Sequence, residues 1–113
     1  MELNSIVVVS LREPKERIWG QLTALTQAGI TIRGIDLNSF TDFVQQVKHP
    51  EEMQVGLATI FYPMQRVERI ALDEPKGDIS SLGQTFEQQV GRSIQDYLAG
   101  LEPRRRSPRR RRR

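Results

Sequence analysis

Residues 14–28, Pro14-Lys15-Glu16-Arg17-Ile18-Trp19-Gly20-Gln21-Leu22-Thr23-Ala24-Leu25-Thr26-Gln27-Ala28, decide the fold. As a helix the stretch has Pro14 in its first turn, Glu13 and Glu16 near its positive end, and Gly29 just past its C-terminus. Ile18, Leu22 and Leu25 then share a face. As a strand it seats Trp19-Gly20 comfortably and gives the β-branched Thr23 and Thr26 favourable surroundings. Gly20 inside a helix costs roughly 1 kcal/mol relative to Ala, too little to choose between them. Periodicity leaves the two readings nearly even.

The flanking segments read more plainly. Ile6 to Leu11 is β-branched and apolar, a strand ending near Arg12-Glu13-Pro14. Residues 30–37 set Ile30, Ile32 and Leu37 among polar neighbours, a strand kinked at Gly34. Ser39-x-x-Asp42 resembles a capping box, and Phe40, Phe43, Val44 and Val47 follow at helical spacing until His49-Pro50 stops them. Leu57 to Tyr62 is a second apolar β-rich run. Pro63-Met64 marks a tight turn before a strand over residues 66–72, and residues 74–78 form a loop. Ser81-x-x-Gln84 is a better capping box. Behind it Leu82, Phe86, Val90, Ile94 and Leu98 recur every fourth residue, so a single helix is expected over 80–100.

The 113 residues suffice for one domain, and the absence of cysteine excludes disulfides and thiolate metal sites. The longest purely apolar run, Ile6-Val7-Val8-Val9, is far short of a membrane span. These features predict a cytoplasmic protein. The net charge of +3 divides unequally along the chain. Arg104, Arg105, Arg106, Arg109, Arg110, Arg111, Arg112 and Arg113 hold eight of the seventeen basic residues, leaving nine bases against fourteen acids in residues 1–103, a balance of −5. An acidic domain thus carries a basic tail, residues 101–113, which beyond Pro103 has nothing apolar to bury and is expected to be disordered.

Val7-x-Val9-x-Leu11, a short loop, Ile18-x-Gly20-x-Leu22-x-x-Leu25 and then Gly29-Ile30-Thr31-Ile32 resemble the first conserved block of Sm-like proteins, particularly the bacterial host-factor branch of RNA chaperones. In that block a strongly bent strand carries the glycine. Residues 56–63, through Val67 and Ile70, resemble the last two strands of the family's barrel, joined by a tight turn. The resemblance covers roughly residues 6–73. It implies a five-stranded small barrel whose second strand bends sharply, as a glycine permits. Thr26 stands where the family usually has an acidic residue of the uridine pocket. Met53-Gln54-Val55 replaces the host-factor Tyr-Lys-His triplet, and the longer helix follows the barrel where the family's precedes it. The resemblance therefore implies the fold and no base-binding residue.

Catalytic chemistry finds few carriers. His49, the sole histidine, neighbours Lys48, Pro50, Glu51 and Glu52 and reads as a solvated loop residue. Glu51-Glu52 and Asp73-Glu74 read as surface charge. No phosphate loop, nucleophile elbow or two-histidine zinc motif is present. Most aromatics fall at core positions. Arg33, Arg66 and Arg69 are the basic residues close to predicted strands, and surface pairing is their default role. The tail arginines can neutralise phosphates on RNA or another polyanion.

The expected architecture is mainly β. An Sm-like five-stranded barrel fills residues 1–79 with a short inserted helix, and the helix of 80–100 packs on it. The expected function is RNA-associated binding without enzymatic activity or cofactor. The barrel supplies homo-oligomerisation, and the eight tail arginines supply phosphate contacts. With residues 14–28 helical, the chain instead resembles α+β ferredoxin-like, amino-acid-sensing regulatory domains, and small-molecule sensing follows. A protein-interaction module without nucleic-acid function is the third reading.

Overall fold

The computed structural model describes residues 1–52 and 56–101. The tail arginines and Met53-Gln54-Val55 lie outside the described residues. Among the described residues there are five strands: β1 (Ile6–Leu11), β2 (Glu16–Leu25), β3 (Gly29–Asp36), β4 (Ala58–Pro63) and β5 (Val67–Leu72). Three helices accompany them: α1 (Phe40–Lys48), α2 (Leu82–Val90) and α3 (Ile94–Leu101). The architecture is a five-stranded antiparallel sheet with helices on one face.

The undecided stretch is the central strand β2, paired with β1 on one side and β3 on the other. Two-sided burial selects this outcome. Ile18 and Leu22 enter one apolar cluster while Trp19, 0% exposed, enters another on the opposite face. A strand's two-residue alternation serves both clusters, whereas a helix offers one stripe. The β-α-β arrangement of regulatory domains is thereby removed.

The strand order is β4-β3-β2-β1-β5, so the two edge strands are consecutive in the chain. Laid flat, four strand spacings would separate those edges by about 19 Å. Register also places Pro63 beside Gly29 at one end of the sheet and Val67 beside Leu11 at the other. The link from Pro63 to Val67 reaches at most about 14 Å. The sheet must therefore curl, and hydrogen bonds from the linking 3-10 turn, Met64–Arg66, hold the curl. The Met64 amide donates to the Ala28 carbonyl in the β2–β3 turn, and the Arg12 amide of the β1–β2 turn donates to the Arg66 carbonyl, each at 2.9 Å. Both ends of β2 are thus gathered onto one short turn. The two strands approach closely where Gly20 faces Gly34 across the ladder, a Cβ on Gly34 coming within 3.0 Å of the Gly20 Cα, and the ladder is bulged between Leu22 and Ala24.

The curl stops short of the expected barrel. β4 pairs only with β3 and β5 only with β1. A two-residue hairpin loop would bring them into register, but the 3-10 turn directs its backbone groups to Ala28 and Arg12. A bulge adds to this: Ser10 pairs with Arg69 and Leu11 with Val67, leaving Glu68 as the extra residue.

The concave face buries Val7, Val9, Leu11, Ile18, Leu22, Ile30, Ile32 and Tyr62. On the convex face Ile6, Trp19 and Ile35 meet Phe40, Phe43 and Val44 of α1, Phe86 of α2, and Ile94 and Leu98 of α3. Trp19 meets Phe40 edge-on at 5.0 Å between ring centroids, and Phe43 stacks on Phe86 at 5.9 Å.

Two local expectations need correction. The helix of 80–100 is two helices: Gly91 takes φ 93° and ends α2, its amide donating to the Glu87 carbonyl at 2.9 Å. Only a residue free of a Cβ enters that left-handed conformation readily, and the chain restarts as α3. Ser39 makes no capping bond. A 3-10 turn, Leu37–Ser39, leads into α1, and it is this turn that Asp36 caps, its Oδ1 accepting from the Asn38 amide at 2.8 Å. The Ser81–Gln84 capping box is present in both directions.

Candidate nucleic-acid interface

Several cations of the folded part are occupied by the fold. Arg12 Nε donates to the Gln65 carbonyl at 2.8 Å. Arg66 donates through Nε to the Arg12 carbonyl at 2.9 Å and through Nη2 to the Pro14 carbonyl at 2.8 Å, and it pairs with Glu16 at 3.6 Å. Arg92 Nη2 donates to the Asp96 carbonyl at 3.0 Å, with its guanidinium 5.7 Å from the Tyr97 ring centroid. Arg33 is half-buried, its Nε enclosed without a hydrogen-bond partner among the described residues.

Arg69 differs. It is exposed and pairs across the ladder with Ser10, which pairs on its other side with the exposed Arg17. Directly opposed residues on antiparallel strands share a face, so Arg17, Ser10 and Arg69 form one row across β2, β1 and β5. Two grooves meet at this row, of about 350 Å³ toward Lys15 and Leu37 and about 300 Å³ toward Ala71 and Lys76. Among the described residues the sole ion pair is Arg66–Glu16, so neither arginine of the row is salt-bridged. Sequence reasoning placed Arg69 near a strand and missed Arg17, because Arg17 lies in the stretch whose secondary structure was open. Its usable signal was adjacency: in a strand, Arg17 shares a face with Trp19.

The carboxylates divide likewise. Asp73, read from sequence as surface charge, is an anchor. Its Oδ1 accepts from the Leu82 amide at 2.8 Å, and its Oδ2 from the Gly83 amide at 2.7 Å and from Trp19 Nε1 at 3.1 Å. The carboxylate thus meets the positive end of α2 and satisfies a buried indole. Glu74 beside it is exposed. His49 is exposed at the end of α1, and among the described residues no group of His, Asp and Glu is arranged to hold a metal ion.

Two phenols sit in altered surroundings. Burial, and secondarily the charge of Glu16, raise the Tyr62 pKa above its ordinary 10.0, with Arg66 opposing. Burial raises that of Tyr97, opposed by Arg92 and Arg33. Phe61 is the aromatic that packing leaves out: on edge strand β4 it is 53% exposed, beside Ile60 at 41%. No helix among the described residues is long and apolar enough to cross a membrane.

No protein-family model matches the chain, and neither a curated protein nor a solved structure matches it.

Proposed function

We propose that this is an RNA-associated, self-assembling binding protein without enzymatic activity or cofactor, acting in the cytoplasm through a divergent Sm-like sheet and an arginine tail. The strand order, the close pairing of Gly20 with Gly34 and the short turn between β4 and β5 support the Sm-like reading. The division of charge carries the functional one. Residues 1–103 are net −5, and their Arg12, Arg66 and Arg92 serve internal hydrogen bonds. The eight arginines of residues 104–113 therefore supply the chain's largest block of phosphate-directed charge.

The curled sheet supplies assembly. β4 reads ATIFYP, an edge with no charge along it, and β5 is the unlike edge on the other side of the sheet. Natural edges are usually blunted by charge, proline or a bulge. Here Pro63 and Glu68 mark only one end of each edge, leaving Thr59–Phe61 and Ile70–Leu72 open to strand addition. Pairing unlike edges of successive copies is head-to-tail, and closes into a ring where the rotation allows. Sedimentation of the intact protein at micromolar concentration tests this half of the proposal, with a dimer or ring expected and Phe61→Lys shifting it toward monomer. Retention of mixed-sequence RNA by the intact chain, lost on deleting residues 104–113, tests the other half.

A further inference from the structure

We infer that the Arg17–Ser10–Arg69 row is a second phosphate-binding site, in the folded part of the chain, that grips the backbone of single-stranded RNA. The inference rests on the RNA-associated reading and adds to it a site apart from the tail. Residues 1–103 hold nine basic residues, and four of them, Lys15, Arg17, Arg69 and Lys76, line the two grooves that meet at Ser10. All four are exposed, and none is ion-paired among the described residues. The same grooves are lined by five carboxylates, Glu16, Asp36, Glu68, Asp73 and Glu74, so the site rests on the two exposed, unpaired guanidiniums of the row and not on an excess of positive charge.

Three of these carboxylates have partners of their own. Glu16 is held by Arg66, Asp36 by the Asn38 amide, and Asp73 by Trp19 and the start of α2. Glu68 and Glu74 remain as opposing charges. The Cα atoms of Arg17 and Arg69 lie two strand spacings apart, about 10 Å, so both guanidiniums can converge over the Ser10 hydroxyl. Two planar cationic forks and a hydroxyl donor suit a phosphodiester, whose unesterified oxygens accept such bonds in pairs. Val8, Ser10 and Ala71 line the groove on one side of the row, and Leu37 and Asn38 of the 3-10 turn border the other.

The test uses the full chain and two charge-matched variants. Arg17→Gln/Arg69→Gln removes two charges from the row, and Lys48→Gln/Arg92→Gln removes two from α1 and the link between α2 and α3. A single-stranded contact contributes about 0.7 to the slope of log affinity against log salt. The first variant should therefore lower the slope for a mixed-sequence oligoribonucleotide by about 1.4, and the second should leave it near wild type. Equal losses would overturn the site in favour of bulk charge. In the wild type, the side-chain NMR signals of Arg17 and Arg69 and the amide of Ser10 should shift saturably with the oligonucleotide. Shifts confined to tail arginines would overturn it too. Inorganic phosphate separates this inference from the RNA reading. If the oligonucleotide fails to bind the intact chain, RNA association falls, while saturable shifts of the same signals with phosphate uphold the anion site. With no shift under either ligand the site is absent.

Discussion

Arg12 and Arg66, 54 residues apart, hold each other's backbone: the Arg12 amide donates to the Arg66 carbonyl and Arg66 Nε donates back to the Arg12 carbonyl, each at 2.9 Å. This exchange ties the β1–β2 turn to the link between the edge strands, so it maintains the curl of the sheet. Arg66 adds a bond from Nη2 to the Pro14 carbonyl at 2.8 Å, a fork that lysine cannot reproduce. Arg66→Ala should cost about 2 kcal/mol in chemical denaturation, and Arg66→Lys should recover less than half of it. Glu16→Gln should cost under about 1 kcal/mol, because the ion pair is partly exposed and screened.

The pairing of Gly20 with Gly34 makes a sharper demand. A Cβ on Gly20 would strike the Arg33 carbonyl and approach the Gly34 Cα at 2.5 Å, both backbone atoms of the paired strand. Gly20→Ala and Gly34→Ala should each destabilise by about 3 kcal/mol or more, since neither strand can yield without opening the ladder. Gly56→Ala, with nothing within 4 Å of the added Cβ, should stay within about 0.5 kcal/mol. Thermal or urea unfolding of the three variants checks the contrast.

Asp73 joins sheet and helices. Asp73→Ala removes the bonds to the Leu82 and Gly83 amides and leaves Trp19 Nε1 without its acceptor. Loss of a helix cap and of a partly buried indole bond together should cost about 2–3 kcal/mol, and the emission of Trp19, the sole tryptophan, should change even in the folded protein. Asp73→Asn should recover part of the stability, because a carbonyl oxygen still accepts. Unchanged emission with unchanged stability would remove Asp73 from its anchoring role.

The phenols set an alkaline limit. With folded-state pKa values raised above 10.0, Tyr62 and Tyr97 bind their protons more tightly folded than unfolded. Their contribution is fully present below the unfolded pKa and is lost as pH rises through the folded one, so stability should fall above about pH 10. Tyrosinate absorbance should develop later in the folded protein than in denaturant. Tyr62→Phe should flatten the alkaline decline.

The strands at Ile6–Leu11 and Gly29–Asp36 were legible in the sequence because β-branched runs bounded by turn residues are local signals. The Ser81 capping box was legible for the same reason. β2 was not, because its two faces feed two cores and so mix Ile18 and Leu22 with Trp19 in a pattern that also fits a helix. The break at Gly91 was hidden by its context: Phe86, Val90, Ile94 and Leu98 keep their four-residue spacing across it. Open edges in place of a closed barrel depend on the Met64–Arg66 turn bonding to Ala28 and Arg12, partners distant in sequence. Asp73 was unreadable for a like reason, since Trp19 lies 54 residues away. At the candidate interface Arg69 was within reach of the sequence, whereas the row it makes with Ser10 and Arg17 needed the register.

The central claim is that the protein grips RNA mainly through residues 104–113, and salt-dependent affinity for mixed-sequence single-stranded RNA tests it most directly. The intact chain should lose affinity steeply with salt, with a log–log slope of several, of which the eight tail arginines supply at most about 5.6 at about 0.7 each. A chain ending at Pro103 should lose most of the binding at moderate salt and keep only a shallow slope. If the shortened chain binds as tightly as the intact one, with the same slope, the account of the tail is wrong.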